Sequence, residues 1–344
     1  MAELESAQSW EQARKIAALI GRTPSTFFSC IRFLRNDFEN HNNELSKAGR
    51  DTLYTLLRSA SFKAPLYYCA LTFRPQAISS LAYISPAALM TVFKPDELSV
   101  IIALLYLCRR VRKLCAAEEW QFISQLLCVH ADLGGIVGRF IPTIGFANGI
   151  MAGAVRHLAS ALFDAIDKKQ FPNYRRLMKR TGRYFDQQEE FKKWGCTHSQ
   201  IASLLTQALG LGPVVGNAVG RGLSPVAAST DGSVKDALSI QMAVQWIDAL
   251  HSTGKPPLVV NDARFYPLAE SLEPMLTEAG RVKDNGSPHS WLLRGKSDIS
   301  PETTPALFHP VKEAPVAAQE VPPPPEGVIN EISKDLEELE AEDS

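Results

Sequence analysis

Apolar residues recur mostly at spacings of three and four from Trp10 to about Gly280, and alternating β-branched runs are few. This spacing places the apolar side chains on one face of a helix. Proline lacks the backbone N–H and disfavours helix just before it, so each proline in this region marks a helix start or stop. The pattern predicts an all-α body of roughly ten helices, divided at Pro24, Pro65, Pro86, Pro95, Pro142, Pro172 and Pro213.

Two segments of the body give sharper predictions. The run VIIALLYLC at Val100–Cys108 is followed by RRVRK, and it is far shorter than the roughly twenty residues of a membrane-spanning helix. It predicts a buried helix with a basic end. Thr197 followed by Gln200 has the TxxQ spacing of a capping box, which predicts that a helix begins there.

The C-terminal part of the chain has a different pattern. Eight prolines between Pro301 and Pro325 favour an extended linker over a packed core. We therefore predict a helical domain over residues 1–285, a disordered proline-rich linker over 286–325 and an acidic amphipathic helix over 326–344. The helix carries a narrow apolar stripe of Ile329, Ile332, Leu336 and Leu339. A solvated tail and a helix that binds in a partner's groove both remain open.

Charge is distributed unevenly along the chain. Residues 301–344 hold 2 basic and 11 acidic side chains, which leaves residues 1–300 at about +8 and the tail at about −9. Such asymmetry fits a solvated tail, an intramolecular contact or a charged partner. The first ten residues lack the features of a signal peptide, and the six cysteines form no C-x-x-C pair. We expect reduced core cysteines in a cytoplasmic protein.

Several common catalytic and binding motifs are absent from the sequence. There is no GxGxxG after a strand, no P-loop, no HExxH and no GxSxG. Gly145, Gly149 and Gly153 lie four apart, which predicts a helix face that another helix approaches closely. The glycines from Gly210 to Gly216 predict a turn. His130 and Asp132 lie on different faces of a helix, so they do not form a chelating pair.

A basic cluster extends from Lys168 to Lys193, with nine Lys or Arg and three acids, and Phe171, Tyr174, Tyr184 and Phe185 are interleaved with them. Cations beside aromatic rings can bind nucleic acid. A connecting helix on the surface of a basic body has the same composition, and this second interpretation is favoured.

Three segments in order resemble the HDOD family. GIMAGAVRHLASALFDAIDKKQFPNY resembles its central helix, EEFKKWGCTHSQIASLLTQALGLG its glutamate, glycine and histidine motif, and SIQMAVQWIDAL its closing helix. The similarity is clearest from about Trp120 to Leu250. HDOD domains are an all-helical branch of the HD superfamily of metal-dependent phosphohydrolases, so the resemblance implies an HD-like helical fold.

The resemblance also implies that a metal site is incomplete. HD enzymes bind the metal through histidines and an aspartate next to the HD histidine. His157 stands at the HD histidine and Asp248 resembles the final aspartate, but Leu158 replaces the adjacent aspartate. Gly220 and Arg221 stand where paired histidines are expected. The two remaining positions are too few, so we expect no catalytic residue, no bound metal and no cofactor.

Glu190, Gly195 and His198 match the most characteristic HDOD motif. A structural role is favoured, in which Gly195 ends one helix, Thr197 caps the next and His198 is hydrogen-bonded inside the protein.

The resemblance implies a bacterial, non-enzymatic regulatory or scaffold protein that acts in signal transduction through protein-protein interaction. An unidentified protein partner could bind through the C-terminal helix, and no membrane association is expected. The alternative is a degenerate HD-type protein that retains metal or nucleotide binding. Nucleic-acid binding through the 168–193 cluster is less favoured.

Overall fold

A computed structural model describes residues 6–79, 85–224, 235–258 and 262–287. The regular structure of these ranges consists of α-helices and 3₁₀ turns, and no strand occurs among them. The predicted all-α class is therefore confirmed. Apart from Gly286 and Ser287, the predicted linker and the C-terminal helix lie outside the described residues.

The described ranges form fifteen α-helices, more than the sequence pattern predicted. The extra helices include α5 and α6, which have only five residues each and are too short to show a helical period. In chain order, α1 to α15 span Ala7–Ala17, Ser25–Asn40, Lys47–Leu56, Ala60–Phe73, Pro75–Ser79, Pro86–Met90, Pro95–Leu114, Ala117–Phe140, Phe146–Ile166, Phe171–Thr181, Gln187–Trp194, His198–Ala208, Pro213–Gly222, Lys235–Thr253 and Ala269–Asn285.

The chain divides into two compact units. One comprises Met1–Arg22 and Ala103–Gly295, and the other includes Thr23–Ile102. The first unit contains α1 and α8 to α15, and the second contains α2 to α6. In the second unit the fully buried Asp37 accepts a hydrogen bond from the Ser46 N–H at 3.0 Å, which joins the end of α2 to the start of α3.

Helices α8 and α9 cross with their backbones in close contact. A Cβ on Gly149 would lie 2.0 Å from the Gly134 carbonyl oxygen, and one on Gly153 would lie 2.1 Å from the His130 carbonyl oxygen. The predicted close approach is confirmed for these two glycines. Gly145 does not lie on the helix face but precedes α9 as its N-cap with φ +78°, a conformation that favours glycine. Helix α8 still comes close to it, since a Cβ on Gly138 would lie 2.3 Å from the Gly145 carbonyl oxygen.

Helix α9 forms the core of this unit, with 17 of its 21 residues buried. Among the described helices it alone is long and apolar enough to cross a membrane, and 89% of its most apolar window is buried inside the protein. This burial is typical of a core helix. It also places the polar side chains of α9 in the interior, where each needs a partner.

Prolines mark helix boundaries at most of the predicted positions, but Pro65 lies inside α4. The prediction of a boundary there is wrong. Phe62, Leu66 and Ala70 lie on one face of α4 and are fully buried. Burial of a large apolar side chain contributes about 1.5–3 kcal/mol, so this face offsets the roughly 3 kcal/mol that an internal proline costs.

Other local predictions are confirmed. Val100–Cys108 lies in α7, a largely buried helix with Arg112 and Lys113 in its last turn. The chain turns between α12 and α13, where Gly210 and Gly212 both have φ +93°. All six cysteines are thiols rather than disulfides, and four of them are buried.

Candidate functional site

Three helices of the first unit bring five polar side chains together, three of them buried and two partly exposed. Helix α8 supplies His130, α9 supplies the neighbours Arg156 and His157, and α14 supplies Asp248 and His251. His130 and His157 come close because the two helices cross almost backbone to backbone, and their ring centroids are 4.7 Å apart. His130 and His251 show the same 4.7 Å separation.

His130 lies at the centre of this network. Its Nδ1 accepts a hydrogen bond from Arg156 Nη2 at 2.8 Å and also lies 2.8 Å from His157 Nε2. Guanidinium has no acceptor, so the Nδ1 of His130 must carry a lone pair and its proton must lie on Nε2. His157 Nε2 must then be the donor of its own contact. The two neighbours of Nδ1 therefore fix the neutral form of His130.

The network continues towards α14. His130 Nε2 lies 2.8 Å from His251 Nδ1, and because it carries the proton it is the donor. The Tyr184 hydroxyl lies 2.7 Å from the same His251 nitrogen and also donates to it. Every contact thus has one donor and one acceptor when all three histidines are neutral. A proton added to His251 Nδ1 would face two donors.

Burial and charge keep these histidines neutral. Burial, and next the Arg156 guanidinium, lower the pKa of His130 and His157 well below the usual range of histidine. Burial also lowers the pKa of His251, although the Asp248 carboxylate acts in the opposite direction. The charged or titratable groups that face the three rings are Arg156, Asp248, Tyr184, His198 and Lys283.

Arg156 carries the positive charge of the network. Its side chain is only 2% exposed, and Nη2 donates to Asp248 Oδ1 at 2.6 Å. The Asp248 side chain is 37% exposed, so the ion pair joins the interior to the surface. The guanidinium carbon also lies 5.3 Å from the centre of the Phe185 ring, within the range of a cation–π contact.

The loop between α10 and α11 covers the network. Gly182 ends α10 in the left-handed conformation, and Asp186 caps α11 by accepting from the Gln188 and Glu189 N–H groups. Between these two residues, Phe185 packs against the rings of both His157 and His198, with centroids 5.0 and 4.6 Å away. Phe185 therefore connects the histidine network to the motif that contains His198.

Glu190 and His198 form a second, fully internal polar pair. The Glu190 carboxylate is 0% exposed and accepts from His198 Nδ1 at 2.7 Å, from the His198 backbone N–H at 2.8 Å and from the Tyr174 hydroxyl at 2.6 Å. Burial raises the pKa of Tyr174, and the Glu190 carboxylate raises it further. These bonds join α10, α11 and the start of α12.

The residues between Glu190 and His198 have the local roles that the sequence predicted. Gly195 ends α11 with φ +73°, where other residues would be strained. Thr197 and Gln200 form the complete capping box at the start of α12. The motif therefore builds a tight turn between α11 and α12. The buried Glu190 carboxylate beside this turn is hydrogen-bonded by His198.

The network does not have the arrangement of a metal centre. Among the described residues, no group of three or more His, Cys, Asp or Glu side chains is placed to hold a metal ion. His130 presents Nδ1 to His157 and Nε2 to His251, so the three rings form a chain and do not converge on one point. Gly220 and Arg221 stand where the resemblance would place a pair of histidines. Gly220 instead lies where α13 packs against α12, since a Cβ on Gly220 would lie 3.0 Å from Ser203 Cβ.

Only part of this site is predictable from the sequence. The HDOD resemblance points to His157 and Asp248 but not to Arg156 or His251, and the spacing of His130 and Asp132 predicts only that these two do not chelate a metal together. Asp132 instead accepts a hydrogen bond from the Ser287 hydroxyl. No spacing in the sequence links α8, α9 and α14, because their contact depends on the tertiary fold. The predicted docking residues Ile329, Ile332, Leu336 and Leu339 lie outside the described residues.

Comparison of the chain with protein-family models, with curated proteins and with solved structures finds no match.

Proposed function

We propose that the chain is a non-enzymatic regulatory or scaffold protein of the HDOD type that acts by binding other proteins. The observation that carries this proposal is the Arg156 guanidinium, which hydrogen-bonds both His130 and Asp248. His157 and Asp248 are the two positions that resemble HD metal ligands. A permanent positive charge beside both of them takes the place of a catalytic cation.

Electrostatics supports this interpretation. Two like charges in a poorly solvated interior repel strongly, so a divalent ion beside Arg156 would have to displace the guanidinium. The Nδ1 lone pair of His130 is already engaged by Arg156. Leu158, which replaces the expected aspartate, is fully buried and supplies no ligand.

The Glu190 and His198 pair supports a structural role for the HDOD motif. Its polar atoms bond to one another and to Tyr174 inside the protein, so little of this motif is available to a substrate. The alternative function, retained metal or nucleotide binding, is favoured by one observation. The network reaches the surface through Asp248, His251 and Tyr184, which are partly exposed.

Metal analysis of the purified full-length protein tests the proposal. We expect substoichiometric iron, manganese and zinc, both as purified and after incubation with each metal followed by desalting. Arg156→Met is the informative variant, because it removes the guanidinium and keeps an apolar side chain of similar length. Gain of metal by this variant alone would identify the guanidinium as the group that excludes the ion.

Restoring the missing carboxylate provides a second test. Leu158→Asp should give no phosphohydrolase activity on a generic phosphodiester, because Arg156 and the missing histidine pair remain. Stoichiometric metal in the unmodified protein that is lost in His157→Ala would overturn the proposal in favour of the metal-binding alternative.

A further inference from the structure

Helix α10 is amphipathic, with a buried apolar side and an exposed basic side. Phe171, Tyr174 and Met178 are buried on one side, and the Tyr174 hydroxyl is fixed by Glu190. Arg176, Lys179 and Arg180 are exposed on the other side. The helix thus packs against the protein by its apolar side and presents cations to solvent.

The cations of this segment outnumber the acids that could neutralise them. Arg175 is paired with Glu119 at 2.8 Å, and Arg183 is paired with Asp186 at 2.8 Å. Lys168, Lys169, Lys179 and Arg180 are exposed and form no ion pair among the residues that the structure describes, although Lys168 interacts electrostatically with the Asp164 carboxylate. We call these four residues, together with Arg176, the α10 basic face.

Three of the acids nearest in sequence are already engaged. Asp167 accepts from the Gln170 N–H, Asp186 caps α11 and pairs with Arg183, and Glu190 is buried with His198. None of them is available to the α10 basic face without breaking a bond that positions a helix. Glu189 is the remaining acid of the segment, and it cannot balance five cations, so the face keeps a net positive charge for a partner.

Nucleic acid and an acidic protein are the two classes of anionic partner that could bind this face. The aromatic residues of the segment distinguish between them. Proteins that bind single-stranded nucleic acid stack bases on exposed aromatic rings. Phe171 and Tyr174 are each only 2% exposed, while Tyr184 and Phe185 pack against the histidine network. The two rings of α10 itself are thus buried away from its exposed cations, while Tyr184 and Phe185 are half-buried against the histidine network.

From this geometry we infer that the α10 basic face is a docking surface for an acidic helical segment of a partner protein. Arg176, Lys179 and Arg180 lie three and four residues apart, so their side chains are about 5–6 Å apart at Cβ. Glutamates at the same spacing on a partner helix match them. The inference rests on the proposed function as a protein-binding module and names the surface and the chemistry of its partner.

Fluorescence anisotropy with the full-length chain tests this inference. The probe is a labelled synthetic helical peptide with glutamates at positions i, i+3, i+4 and i+7, and the control peptide has glutamine at those positions. We expect the glutamate peptide alone to bind, and binding to weaken as salt is raised from about 50 to 200 mM because exposed charges are screened.

Charge-reversed variants locate the surface. Arg176→Glu with Arg180→Glu should weaken binding of the glutamate peptide by about tenfold or more, and Arg176→Gln with Arg180→Gln should weaken it less. The matched control is Arg58→Glu with Arg281→Glu, which makes the same change at two other exposed positions and should leave the affinity unchanged. Thermal melting confirms that each variant is folded.

The outcomes separate this inference from the proposed function. Equal loss in the control variant would show non-specific charge attraction and overturn the inference. Tighter binding of a 20-base-pair duplex or an oligonucleotide, abolished by the same reversal, would replace the acidic protein with nucleic acid. If protein partners identified for the full-length chain are still bound by the reversed variant, the surface is wrong while the proposed function stands.

Discussion

At the scale of single residues, the unusual feature is a set of histidines that are all neutral around a buried arginine. His130 accepts from Arg156 and donates to His251, which also accepts from Tyr184. The direction of each bond depends on the one before it, so a proton added to one ring disturbs the next. The network is therefore stable only while the histidines remain uncharged.

This arrangement predicts acid sensitivity. The pKa values of His130, His157 and His251 are lowered by burial, whereas histidines in the unfolded chain bind protons near pH 6.5. The free energy of unfolding should thus be highest above about pH 6.5. Below that pH it should decrease by up to about 1.4 kcal/mol per pH unit for each histidine. Urea denaturation between pH 7.5 and 5.5 measures the slope.

The same experiment on His157→Gln provides the internal comparison. This variant lacks one titrating ring, so its slope below pH 6.5 should be shallower than that of the unmodified protein. Equal stability of the unmodified protein at pH 7.5 and 5.5 would contradict the neutral network.

A second prediction concerns His198. His198→Ala leaves the Glu190 carboxylate buried without its imidazole donor, so we expect a lower melting temperature and a loss of about 1–3 kcal/mol in the free energy of unfolding. His41→Ala is the control, because His41 is exposed. An unchanged melting curve together with lost partner binding would place His198 on a recognition surface instead.

Residue roles were predictable from the sequence where they depended on neighbours in the chain. Thr197 and Gln200 lie within one helical turn, so their capping box could be seen in the sequence and is confirmed. Arg156 could not be recognised, because its partners are 26 and 92 residues away. Long-range proximity of this kind leaves no spacing signal.

At the scale of helices, glycine decides how closely α8 and α9 pack. The four-residue glycine spacing predicted the crossing, and the structure adds the facing glycine, Gly134. The sequence also predicted most helix boundaries from proline but was wrong at Pro65, since buried apolar residues of α4 outweigh the local preference. Tertiary packing overrides propensity in this helix.

The crossing can be tested with a single methyl group. In Gly149→Ala the new Cβ would lie 2.0 Å from the Gly134 carbonyl oxygen, and a backbone atom cannot rotate away. We expect a loss of about 1–3 kcal/mol in the free energy of unfolding, measured by thermal or urea denaturation.

Gly280→Ala is the matched control for this substitution. Gly280 lies within α15, and a Cβ there would have nothing within 4 Å. Alanine should stabilise the helix by about 0.5–1 kcal/mol. Equal effects of the two substitutions would show that the α8 and α9 contact is looser than the structure has it.

At the scale of the whole molecule, charge is segregated between a basic body and an acidic tail. Residues 1–300 are at about +8 and residues 301–344 at about −9. Within the described part, α10 shows where some of the positive charge is exposed. The tail lies outside that part, so the sequence alone supports its prediction as a docking helix.

The last prediction is that the tail binds a partner mainly through its apolar stripe. Burial of apolar surface contributes about 25 cal/mol per Å², whereas an exposed ion pair contributes at most about 1 kcal/mol. Leu336→Ser with Leu339→Ser should therefore weaken partner binding more than Glu337→Gln with Glu338→Gln. Raised salt should slow association more than it speeds release, because charge mainly guides the encounter.

Pull-down with full-length protein and with a variant that lacks residues 326–344 measures the role of the tail, and hydrogen exchange of the body is recorded for both. We expect the deletion to remove specific partners that mass spectrometry identifies. The double serine variant should reduce their recovery more than the double glutamine variant. Unchanged recovery together with an unchanged exchange pattern would contradict a docking role. In that case the tail's eight acidic residues after Pro325 would serve solubility, because like charges keep proteins apart in solution.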